Sequence, residues 1–203
     1  RPGLPWEHRA SLGWLGAGWQ TLKLVLFQPR NAFRAMSLDD GLGNPLTYYL
    51  IFYIGPCVLL LALGGGLLLA FWGAASAFLA QQIPDFPAAT LTTGLLTACY
   101  LGALVLLPVL YAAMLFLFSG IFHLMLMLVG GAKRTFATTF SAVAYSYTST
   151  SLVQLALCCF TLIPYLGGCI SFVLTLWALA WLVIALIHAH ETETWRALLA
   201  VFG

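Results

Sequence analysis

One histidine and a run of hydroxyls are the groups in this chain most able to do chemistry. His123 lies in an apolar stretch, about seven residues ahead of a Gly130-Gly131 turn. Beyond the turn, ten of the fourteen residues from Thr138 to Ser151 carry a hydroxyl. At ~100° per residue of helix, Ser141, Tyr145 and Thr148 share one face, and Tyr147, Ser151 and Gln154 share another. Counting back from the turn sets His123 roughly level with Ser141 to Tyr145. Two readings stand side by side. The hydroxyls satisfy one another and the backbone carbonyl one turn back. Alternatively, His123, Ser141, Tyr145, Thr148, Ser151 and Gln154 line a polar cleft for a small molecule, an ion or a lipid headgroup, since polar groups within a span mark functional sites.

Other chemistry is thin. His188 and His190 lie two residues apart, hence ~200° apart on a helix, so one helix cannot offer both to one metal. With Glu191 and Glu193 they read as solvated residues at a membrane edge. The five cysteines (Cys57, Cys99, Cys158, Cys159 and Cys169) show no CxxC spacing and read as small hydrophobes. Trp177 and Trp181 share a face and read as packing. No nucleophile–base–acid set, phosphate loop or paired intramembrane carboxylate is visible. The expectation is a protein with no catalytic residues, cofactor or metal. A span without Asp or Glu also argues against a proton- or sodium-coupled pump.

The elements that must position these groups are membrane helices. The chain has 203 residues, 62% hydrophobic and 7% charged, where a soluble domain carries about 25% charged residues. Lipid is the expected solvent. The net charge of +2 is too small for a nucleic-acid footprint. Leu91 to Val129 is an unbroken apolar run that would make a helix ~58 Å long. Its only breaker is Pro108, which a membrane helix tolerates as a kink. Taken as one span, it leaves every Lys and Arg on one side, including Lys133 and Arg134. The positive-inside rule then predicts a cytoplasmic N-terminus. The resulting fold is an all-α polytopic transmembrane bundle with spans near 46–72, 95–129, 136–160 and 165–187. Residues 76–90, with Asp85, form the first outer loop. Thr161 to Pro164 and Gly167-Gly168 form the second.

Residues 1–45 precede the bundle. Leu12, Leu15, Trp19, Leu22 and Leu26 follow a 3,4,3,4 spacing on one helix face. Pro29 interrupts or restarts this helix. Basic residues along it suit a helix lying among lipid headgroups; a helix packed on the bundle fits equally well. Trp19, Lys23, Arg30, Arg34, Lys133 and Arg134 are the expected membrane-surface contacts. Asn44 is placed to cap the next helix, with Pro45 at its first position. Residues 188–203 form a juxtamembrane tail or the start of a fifth span. No signal peptide is visible at the front, and residues upstream of Arg1 and beyond Gly203 are expected to be missing.

These features resemble a known family. Pro5-Trp6-Glu7, Trp19-x-Thr21, Leu26-Phe27-x-Pro29 with Phe33 and Met36, and Gly43-Asn44-Pro45-Leu46 resemble the front of bacterial members of the Yip family of membrane proteins. Gly130-Gly131-x5-Thr138/Thr139 and Ala144-Tyr145 extend the resemblance over nearly the whole chain. It implies a cytosolic N-terminus and five spans, the fifth starting near Ala197. Some bacterial relatives carry a zinc-ribbon-like module ahead of this front. Eukaryotic members are linked to Rab-type GTPases, but their Asp-Leu-x-Gly-Pro motif is not matched by Asp39-Asp40-Gly41-Leu42-Gly43. The resemblance brings no catalytic residues.

The function expected from all this is that of a membrane organiser or interaction scaffold in a bacterial cytoplasmic membrane. Its partners would be the bilayer, proteins at the cytosolic face and further copies of itself. The alternative is a transporter or channel using the His123 cleft.

Overall fold

The computed structural model describes residues 1–38, 41–82, 88–157, 160 and 166–203. Asp39, Asp40, Asp85, Cys158, Cys159 and the Thr161–Pro164 turn lie outside them. The described residues are helical and include no strand. A 3-10 turn (Pro5–His8) leads through α1 (Arg9–Leu12) to α2 (Trp14–Phe27) and α3 (Pro29–Ala35). Then come α4 (Gly43–Tyr49), a π turn (Leu50–Ile54), α5 (Gly55–Gln82), α6 (Ala88–Leu128), α7 (Phe136–Ala156), α8 (Leu166–His190) and α9 (Thr194–Phe202). The run around Pro108 is thus one helix and no hairpin. Helix α5 continues to Gln82, well past residue 76 where a loop was expected. The π turn falls just before Pro56. A proline at that position cannot donate to the carbonyl of Phe52 and its ring crowds it, so the helix widens there.

Among the described residues three stretches are long and apolar enough to cross a membrane: Gly43–Leu79, Gly94–Leu128 and Leu166–His190. Helix α7, the remaining expected span, is not among them. Its hydroxyls lower its apolarity, and Thr138, Thr139, Ser146, Thr148, Ser149 and Thr150 are all buried. The chain is nonetheless a polytopic all-α membrane protein.

Two compact units divide the chain. One holds residues Arg1–Tyr53 and Met114–Gly203, the other Ile54–Ala113. In the first, α7 is central and packs against α8, α4 and α2, while α3 and α9 pack against α8. The front segment is part of this core. Leu4, Trp6, Val25, Phe33 and Met36 are fully buried beside Tyr48, Tyr145 and Leu186. Helix α2 buries Ala17, Gly18, Thr21 and Val25. The Leu12, Leu15 and Trp19 stripe faces outward instead. Small residues go inward because they let backbones approach: the Phe52 ring lies where a Cβ of Gly18 would sit. In the second unit, the Tyr100 ring lies over Gly65 in the same way. Its hydroxyl donates to the carbonyl of Ala62 at 2.8 Å. An apolar groove of about 350 Å³ there is lined by Cys57, Val58, Leu61, Leu107, Pro108 and Tyr111 among others.

The Pro5-Trp6-Glu7 motif is the fastener of the front segment. Trp6 donates its backbone N–H to Thr21 Oγ1 (2.8 Å) and its indole N–H to the carbonyl of Asn44 (2.8 Å). Its ring meets Trp14, Tyr48 and Phe52 edge-on. Asn44 lies inside α4, so it caps nothing; its Oδ1 accepts from Arg9 at 2.6 Å. Glu7 accepts from the backbone N–H groups of Leu4 (2.7 Å) and Ser37 (3.1 Å) and closes the segment into a loop. Trp181 donates to the carbonyl of Val25 at 3.0 Å, fixing α8 to α2. Replacing a fully buried Trp by Ala costs about 3–5 kcal/mol. Trp6→Ala is expected to lose that much in unfolding measured in mixed micelles, and a loss below about 1 kcal/mol would refute the fastener role.

Candidate functional site

Helices α6, α7 and α8 meet through three polar side chains. His123 Nδ1 lies 2.8 Å from Thr139 Oγ1, and His190 Nε2 lies 2.8 Å from the same oxygen. The two imidazole rings are 6.1 Å apart, and Phe136 meets the His123 ring edge-on at 5.8 Å. His123 is half-buried and His190 fully buried. A hydroxyl carries one proton. Between two neutral imidazoles it donates to one ring and accepts from the other, so the tautomers of the two histidines are coupled through Thr139. His190 Nδ1 has no hydrogen-bond partner among the described residues.

The partner of His123 is Thr139, two residues short of the expected level. The turn explains the offset. The N–H groups of Gly131 and Ala132 both donate to the carbonyl of Leu126 (2.7 and 3.1 Å), so the chain folds back beside α6 before α7 begins. Among the described hydrogen bonds, His123 is the one expected cleft residue in this chain of three. Ser141 donates to the carbonyl of Ala137 at 2.9 Å. Tyr145 packs against Tyr48 with ring centres 5.2 Å apart, and the hydroxyl of Tyr48 lies 3.3 Å from that of Ser149. Thr148 and Ser151 are buried and Gln154 is half-buried. Tyr147 meets Tyr53, hydroxyl to hydroxyl, at 3.3 Å.

His190 is a correction, because a solvated residue was expected there. Its signal was present: Val183, Leu186 and His190 follow a 3,4 spacing on the core-facing side of α8. His188 turns away, as ~200° requires, and lies within electrostatic reach of Arg30 and Arg34.

The expected surface residues Trp19, Lys23, Arg30, Arg34, Lys133 and Arg134 are all exposed. Lys133 and Arg134 are engaged. Lys133 Nζ donates to the carbonyl of Glu191 (2.8 Å), and Arg134 lies 3.4 Å from its carboxylate, which Arg1 also binds. Arg196 donates to the carbonyl of Gly130. The Arg1 guanidinium holds the Glu191 carboxyl below the usual carboxylate range, with help from Arg134. A lowered carboxyl pKa means that this contact is formed at neutral pH and lost only as pH falls through the lowered folded-state value. Glu191 is exposed, so its effect is local.

Among the described residues no group of three or more His, Cys, Asp or Glu could hold a metal. The His–Thr–His chain can relay or store a proton and can clasp three helices. Thr139→Val keeps the shape and strands two imidazole nitrogens. Its expected cost is about 1–3 kcal/mol, with Thr139→Ser much closer to wild type. Equal stability of the Val and Ser variants in mixed-micelle unfolding would contradict the clasp.

Comparison with known proteins follows from this geometry. No curated protein and no solved structure gives a significant match. The family model described as the Yip1 domain matches residues 23–203. That stretch begins in α2 and takes in the clasp, the hydroxyl-rich helix and all three apolar helices, so the chain belongs to the Yip family of membrane proteins.

Proposed function

We propose that the protein is a membrane organiser, a scaffold that presents a folded front segment to partners at a membrane surface. The observation that carries this reading is the use of the α7 hydroxyls. Thr139 binds His123 and His190, Ser149 meets Tyr48, Tyr147 meets Tyr53, and Ser141 and Thr150 bond to their own helix. Polar groups engaged in this way hold a bundle together and leave few free to bind a solute. Helix α7 serves in this reading as a span shielded by α2, α4 and α8, which makes four with the apolar helices. Residues 1–45 form the surface layer, 46–187 the bundle and 188–203 the tail. The setting is a bacterial cytoplasmic membrane with the N-terminus inside, as the one-sided Lys and Arg residues support. Protein partners meet the basic face, and further copies of the chain associate through the lipid-facing helices.

A second reading keeps the transporter. Ser146, Thr148 and His190 each have a buried polar atom with no partner. Such atoms line a route for a small solute past His123, Ser141, Tyr145, Thr148, Ser151 and Gln154. Liposome flux separates the two readings. The scaffold predicts no ion or solute flux above that of protein-free liposomes. Selective flux that His123→Ala abolishes, with the variant still folded, would replace the scaffold by the transporter.

A further inference from the structure

Helix α2 has a second face that the fold leaves uncovered. Leu15, Trp19, Lys23 and Phe27 recur every fourth residue and drift only ~40° per step, so they form one ridge. Leu15 and Phe27 are each 80% exposed and Trp19 is 56% exposed. Lys23 Nζ stands 5.0 Å from the Trp19 ring centre. The ridge lies opposite Ala17, Gly18, Thr21 and Val25, which are buried, so it cannot turn inward without dismantling the core.

Beside it, α3 carries Arg30 and Arg34 one turn apart on its exposed side, while Ala32 and Phe33 are buried. Neither arginine has a carboxylate partner among the described residues. His188 lies near both. The face thus joins a ridge of large apolar groups to unpaired cations, the pattern of a helix seated at the headgroup level.

We propose that this face docks anionic phospholipid, with Leu15, Trp19 and Phe27 entering the acyl boundary and Lys23, Arg30 and Arg34 taking headgroup phosphates. The apolar helices of the same chain require a bilayer, so lipid is a permanent neighbour. Unpaired cations select the anionic headgroup over the zwitterionic one. A second copy apposed about a two-fold axis would bring like charges face to face. The surface is independent of whether the chain acts as scaffold or transporter.

The test uses the full chain in vesicles of phosphatidylcholine mixed with phosphatidylglycerol, with bromine on the acyl chains of one lipid or the other. The Trp19 signal is the difference in fluorescence between wild type and Trp19→Phe. Brominated phosphatidylglycerol is expected to quench it more strongly than brominated phosphatidylcholine. That preference is expected to fall by about fivefold per cation removed in Lys23→Gln, Arg30→Gln and Arg34→Gln. It is also expected to fade at about 1 M salt, where screening acts over about 3 Å. The salt titration of wild type decides even if a variant fails to insert. Equal quenching by the two lipids, or a preference indifferent to salt, overturns the proposal. So does loss of the preference to soluble glycerophosphate at matched ionic strength, which marks a free-anion site. Quenching by neither lipid also overturns it, since protein, such as a second copy, then covers the ridge.

Discussion

A helix in which nearly half the residues carry hydroxyls is poorly wetted by lipid. Each hydroxyl left without a partner costs roughly 1–3 kcal/mol by protein data and about 4–8 kcal/mol against hydrocarbon. Helix α7 is such a helix, and the first unit is arranged to surround it. Helix α8 covers one side, α4 and α2 cover others, and the front segment closes the remaining approach. Three of its hydroxyls draw partners from neighbouring elements: His123 and His190 for Thr139, Tyr48 for Ser149, Tyr53 for Tyr147.

That constraint explains the two-sided front segment. Its inner side reaches polar and aromatic groups on α4 and α7: α2 turns small residues inward, and Trp6, Phe33 and Met36 are the large buried anchors. On its outer side Leu15, Trp19 and Phe27 are exposed. Of the two settings that the residue pattern allowed for this segment, packing on the bundle describes the inner face of α2, and the interface is the setting proposed above for its outer face. The motifs that carried the resemblance fall largely on the inner side. Trp6 donates to both Thr21 and Asn44 across the front segment, and Phe33 and Met36 fill the core beneath it.

Much of the fold was legible in the residues. Composition required lipid, and the absence of turn chemistry between Leu91 and Val129 required one helix. The hydroxyls of α7 required protein neighbours. The site was less legible. The register between His123 and α7 depended on the carbonyl of Leu126 accepting two N–H groups of the turn, which helix arithmetic does not include. His190 was misassigned because charged neighbours in sequence suggested solvent, while its 3,4 spacing with Val183 and Leu186 pointed to the core. The Leu12–Trp19 stripe left open which way it faced, and in the structure it faces outward. In a membrane protein a stripe of large apolar residues marks lipid as readily as core, and close packing uses the small ones.

The central claim is that α7 is surrounded by protein rather than lipid. A photoactivatable lipid with its reactive group in the acyl chain tests this directly, read residue by residue after cross-linking in a bilayer. The account predicts heavy labelling of α5 and α6 at positions such as Leu67, Phe71 and Val105, which are exposed, and essentially none from Thr138 to Ser146. Labelling of Thr138 to Ser146 at the level of α5 would contradict it.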